Sequence, residues 1–120
     1  MTDRRTSRLN EQLKREVSGI LLEKVRDPRI GKILVTGVRV TADLWVARVF
    51  IRPLEEEREL SDVLAGLEKA APFIRKELGK RLHIRRIPEL RFLHDDTLDS
   101  ALRIEEVLRH ISQLASNPDG

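Results

Sequence analysis

The chain has 120 residues and a mass of 13.9 kDa, enough to bury a core without disulfides or a metal. It contains no cysteine, which excludes a disulfide scaffold, a thiolate metal site and a cysteine nucleophile. Lysine and arginine number 23 against 20 acids, a formal charge of +3, and with no tyrosine or cysteine titrating between carboxylates and lysines the isoelectric point climbs to about 9.7. Trp45, Phe50, Phe73 and Phe92 are the whole aromatic content, so the core must be aliphatic. The longest apolar run, Ala70–Ile74, is far too short to span a bilayer, and the charged start of the chain is no leader; the expectation is a cytoplasmic protein with no membrane association.

Leu9, Leu13, Val17, Ile20, Leu21 and Val25 recur at steps of three and four, which predicts an amphipathic helix of about five turns stopped by Pro28. Residues 33–52 read as two antiparallel strands. Ile33 and Val35 share one parity, Val38 and Val40 the other, and Gly37 at the change points to a bulge. In the second strand Trp45, Ala47, Val49 and Ile51 share a face, with Val46, Arg48, Phe50 and Arg52 on the other. Pro53 ends it, and an acidic loop from Leu54 to Leu60 follows. A helix with Ser61 as N-cap carries Leu64, Leu67 and Ala71, and Pro72 divides it from a second piece with Phe73, Ile74, Leu78 and Leu82. Leu90-Arg91-Phe92 alternates as a third strand, and Leu98, Ala101, Leu102, Ile104, Val107, Leu108 and Ile111 mark a final amphipathic helix. The order is one α+β domain over residues 1–114, with 115–120 as a short flexible tail.

The charge is segregated. Arg75, Lys76, Lys80, Arg81, Arg85, Arg86 and Arg91 stand between Phe73 and Phe92 against only Glu77 and Glu89, and Arg4, Arg5, Arg8, Lys14 and Arg15 crowd the first helix. A one-sided basic stripe on a nearly neutral domain is what a phosphate backbone attracts. Any one of these residues alone reads as solvated surface; the cluster reads as RNA-binding. Phe73 and Phe92 fall at core positions and Trp45 is ambiguous, so aromatic interleaving is missing and folded or duplex RNA fits better than a stacked single strand.

Catalytic chemistry finds little to stand on. His94, Asp95, Asp96 and Asp99 lack the spacing of a metal site and are explained as caps of the last helix, while His83 and His110 are isolated. No phosphate loop, dinucleotide fingerprint or nucleophile elbow occurs, so neither an enzyme nor a cofactor is expected.

The chain resembles the ribosome-binding factor A family over Arg4 to Ile111. The resemblance rests on Val25-Arg26-Asp27-Pro28-Arg29-Ile30, on Asp43-Leu44-Trp45-Val46-Ala47-Arg48-Val49, on Phe73-Ile74-Arg75, on the run from Leu78 to Phe92, and on Asp95 and Arg103-Ile104. It implies a type II KH-like fold, α-β-β-α-kink-α-β with a C-terminal helix and a three-stranded sheet. An interhelical Ala-x-Gly kink then aligns with Ala70-Ala71-Pro72, where proline replaces the glycine and removes an N–H. It further implies binding to free or immature 30S subunits through 16S rRNA, support of late maturation including 5′-end processing, growth in the cold, and contacts with ribosomal proteins and an assembly GTPase. A monomer suffices for this. The RNA-binding residues expected are Arg75, Lys76, Lys80, Arg81, Arg85 and Arg86, with Arg4, Arg5, Arg8 and Arg15 as a second surface. The alternatives are a general KH-like RNA-binding module and a protein adaptor using the acidic loop Glu55–Asp62.

Overall fold

The computed structural model describes residues 4–55 and 57–116. Three helices and three strands follow in the order α1 (Arg4–Glu23), β1 (Ile33–Val40), β2 (Val46–Pro53), α2 (Leu60–Arg81), β3 (Glu89–His94) and α3 (Leu98–Ser116). The sheet order is β1-β2-β3, with β1 antiparallel and β3 parallel to the central β2.

α1 forms because Leu13, Val17 and Ile20, all fully buried, fall on one face. It ends at Glu23, not at the proline: the Lys24 and Val25 amides both donate to the Ile20 carbonyl, at 2.8 and 3.2 Å, and the chain leaves the helix there. Val25 is therefore outside the helix, although it still packs on the core. Pro28 belongs instead to a turn in which the Asp27 carboxylate accepts from the Arg29 amide and guanidinium, both at 2.9 Å. That turn drives Ile30 into the core, 3% exposed, onto α2 at Gly66, where a Cβ would stand 2.9 Å from Ile30 Cγ1. Only glycine lets the two segments approach this closely.

The β1–β2 register shifts between Val35 and Gly37, leaving Thr36 unpaired. This is the expected bulge, and it explains how Val35 and Val38, of opposite parity, are both 5% exposed on the core side. The Thr36 hydroxyl donates to Asp95 Oδ2 at 2.5 Å, and Asp95 Oδ1 accepts from the Thr97 amide and hydroxyl at 3.0 and 2.8 Å. Burial pushes the Asp95 carboxyl up, but the Thr36 and Thr97 hydrogen bonds and the Arg52 charge outweigh it and hold it below its ordinary 3.8. A depressed folded pKa contributes stability above the unfolded pKa that is lost as pH falls through the folded value. Asp95→Asn should thus cost roughly 1–2 kcal/mol in urea denaturation near pH 7, with the gap to wild type closing as pH falls through and below the lowered Asp95 value.

α1 and α2 cover one face of the sheet, burying Ala47, Val49, Ile51 and Leu90 beneath Leu13, Ile20, Leu67, Ile74 and Leu78. α2 is a single helix of 22 residues with Pro72 inside it, so the expected division into two helices does not occur. Proline removes the bond to the Glu68 carbonyl, a cost of about 3 kcal/mol in an exposed helix interior. Fully buried Leu67 before it and Ile74 and Leu78 after it pin both halves to the same sheet face, and this packing outweighs the local defect. Nor is Ser61 the N-cap: the helix starts at Leu60 after Glu59, which makes no side-chain cap bond.

α3 is amphipathic as expected, yet its apolar side meets almost nothing. Ile104 is buried at 9%, while Leu98, Leu102, Leu108, Ile111 and Leu114 are 41–74% exposed. The helix runs on to Ser116, past the expected start of the tail at 115, and residues 117–120 of that tail lie outside the described residues.

Candidate nucleic-acid interface

Because α2 turns Leu67, Ile74 and Leu78 inward, residues 69, 72, 73, 76 and 80 share the opposite side. Lys69, Pro72, Phe73, Lys76 and Lys80 are all exposed there. Phe73 is 42% exposed, not a core residue, and sits between Lys69 and Lys76 along the stripe. The expected absence of aromatic interleaving is therefore overturned at this position. Lys69 lies outside the run after Phe73 on which the sequence reading centres; its helical phase, seven residues before Lys76, is the signal that finds it. Lys80 pairs loosely with Glu77 at 3.7 Å, a contact of little energetic weight because the lysine is exposed.

Two of the expected RNA-binding arginines are engaged within the protein. Arg75 donates from Nε to the Pro88 carbonyl at 3.1 Å and from Nη2 to the Ile87 carbonyl at 2.9 Å. It thereby fastens the 82–88 connector to α2. Arg81 lies between Glu16 at 3.4 Å and Glu23 at 3.6 Å on α1, passing Gly19, where a Cβ would come within 3.4 Å of Nη1. Lys76 and Arg85 stay exposed. Arg86 stacks on Trp45, its guanidinium carbon 3.4 Å from the ring centroid.

Trp45 precedes β2 and is 54% exposed, so it does not join the buried face of Ala47, Val49 and Ile51. It is held by Asp43, whose Oδ1 accepts from the Trp45 amide at 3.0 Å and from the Thr41 hydroxyl at 2.6 Å. The Thr41 and Trp45 bonds, with the charge of Arg86, lower the Asp43 carboxyl below its usual range. Arg5, Arg8 and Arg15 are exposed on α1, an element apart from the stripe; the Arg4 side chain lies outside the described residues.

Ala71 and Pro72 line an open groove of about 510 Å³ between α2 and the edge strand β3, while Ala70 packs on the core. Arg75 and Glu68 line the groove from α2 with opposite charges, the β3 edge from Glu89 to Leu93 forms the other wall, and Arg91 pairs with Glu89 at 3.0 Å. The basic stripe outside the groove is the stronger attractor for a polyanion.

The acidic loop is partly neutralised. Glu55 pairs with Arg58 at 2.7 Å, which holds its carboxyl below the usual range, and Arg58 also donates to the Pro28 carbonyl. Among the described residues no three histidine or acidic side chains converge as metal ligands; the Asp99 side chain lies outside them. No described helix is long and apolar enough to cross a membrane.

The family model of ribosome-binding factor A matches residues 5–108. A curated ribosome-binding factor A from Halothermothrix orenii is 43% identical over 113 residues, covering 94% of this chain and 93% of that protein. The crystal structure of ribosome-binding factor A from Thermus thermophilus superposes with a TM-score of 0.67 at 31% identity, over 74% of this chain and 93% of that one. A homology model of the Thermus thermophilus factor, fitted into a cryo-EM map of its complex with the 30S subunit, gives a TM-score of 0.58 at 32% identity, over 70% of this chain and 88% of that one. The α+β order, the parallel third strand and these matches together place the chain in the ribosome-binding factor A family.

Proposed function

We propose that this protein is a non-enzymatic assembly factor of the small ribosomal subunit, docking on 16S rRNA of free or immature 30S particles in the cytoplasm. The observation that carries the reading is the exposed α2 stripe, Lys69, Phe73, Lys76 and Lys80, on a member of this family. Lysines contact phosphates and release counterions, while Phe73 offers one face for an unpaired base. Arg85 extends the basic surface beyond the helix, Arg86 presents its charge over Trp45, and Arg5, Arg8 and Arg15 form a second basic area on α1. Arg75 and Arg81 act indirectly, by fixing the connector and α1 against the helix that carries the stripe.

The absence of an N–H at Pro72 means that no backbone donor at this position reads RNA, so side chains carry the contact. Residues 1–114 act as one binding unit. The role follows from occupancy: a bound factor supports late 16S rRNA maturation, including 5′-end processing by separate nucleases, and growth in the cold. The pairing of Glu55 with Arg58 ties down the acidic loop and argues against an adaptor role there.

Sedimentation of lysate through sucrose gradients tests the reading. The protein is expected with 30S particles and not with 70S ribosomes at low salt, leaving the particles as salt rises. Retention at the top of the gradient at low salt would refute it. Displacement by bulk RNA as readily as by added 30S subunits would identify a general RNA-binding module instead.

A further inference from the structure

The face of the sheet opposite α1 and α2 carries a row that appears only once the strand registers are known. Arg39 on β1 pairs in register with Arg48 on β2, and Arg48 pairs with Arg91 on β3. All three are exposed, on the side away from buried Val38, Ala47 and Leu90. With strands about 4.8 Å apart, three guanidinium stems stand within about 10 Å of one another. Like charges directly opposite across strands destabilise a sheet. Arg39 and Arg48 have no carboxylate partner among the described residues, and Arg91 has only the exposed Glu89 on its own strand. The next row along the same face is apolar, with Phe50 in register with Leu93, which is 40% exposed.

We propose that this arginine row is a second phosphate-backbone contact for ribosomal RNA, on the opposite side of the domain from the lysine stripe of α2. The proposal rests on the reading that the protein binds the small subunit through its RNA. Three cations in so short a line need a ligand with several closely spaced anions, and a nucleic-acid strand supplies them as a continuous series. Arginine suits it because the planar fork takes phosphate oxygens in pairs. The adjoining Phe50 and Leu93 give apolar surface for sugar or base. The protein then touches RNA on two sides and bridges two segments of it.

The test is the double variant Arg39→Thr/Arg48→Thr, since threonine fits a half-exposed strand and relieves the repulsion. Its Tm should equal or exceed that of the wild type. Its affinity for 30S subunits, and equally for deproteinised 16S rRNA, should fall at least tenfold, with the slope of log K against log salt reduced by about two. Wild-type affinity and slope in the folded variant would overturn the row alone. A large drop in Tm would make the arginines structural, and a loss confined to intact subunits would make the partner a ribosomal protein; either overturns the proposal. Failure of the wild type to bind subunits or rRNA would instead remove the function on which it rests.

Discussion

Ile74→Ala should lower stability by about 2–5 kcal/mol, and Tm by roughly 10–20 °C. Ile74 is fully buried and stands one turn before the equally buried Leu78, so truncation opens a cavity between α2 and the sheet. The position matters beyond its volume. Ile74 is the first core contact after Pro72, where the helix lacks one backbone bond, and it anchors the half that carries Lys76 and Lys80. Thermal unfolding by circular dichroism checks the expectation. A change below about 1 kcal/mol would mean that the segment after the proline is not held by this packing.

Lys69→Glu/Lys76→Glu/Lys80→Glu should weaken 30S binding by on the order of 100-fold, taking roughly 1 kcal/mol for each lost charged contact. The slope of log K against log salt should shrink by about one for each phosphate contact removed. None of the three lysines is buried, and the one ion pair they make among the described residues, Lys80 with Glu77, leaves the lysine exposed, so the fold should persist. Filter binding or fluorescence anisotropy across a salt series, with Tm as control, measures both effects. A folded triple variant with unchanged slope would remove the stripe from the interface.

Much of the architecture is legible in the sequence because it depends on local pattern. The parity switch at Gly37 locates a bulge, and the spacing of Leu13, Val17 and Ile20 locates the inner face of α1. What the pattern does not supply is the identity of partners. At Pro72 the local rule predicts a break, yet Leu67, Ile74 and Leu78 on either side pack against one sheet and carry the helix through. Phe73 and Ile74 are adjacent apolar residues about 100° apart on a helix, and only packing decides that Ile74 goes inward. The period of α3 names an apolar side but not whether anything meets it. Charge counts likewise group Arg75 and Arg81 with Lys76 and Lys80, although carbonyls and carboxylates distant in sequence engage the first two. The arginine row on the sheet is invisible until the strand registers bring residues 39, 48 and 91 side by side.

The stack of Arg86 on Trp45 also makes the protein its own optical probe. Trp45 is the only tryptophan, so intrinsic emission excited in the indole band comes from one site, half in water and half beneath a guanidinium. An RNA phosphate that draws Arg86 away removes a cation from the ring face, and a base that replaces it quenches by stacking. The two events displace the emission differently, so a titration without any label separates phosphate capture from base contact at this corner of the sheet.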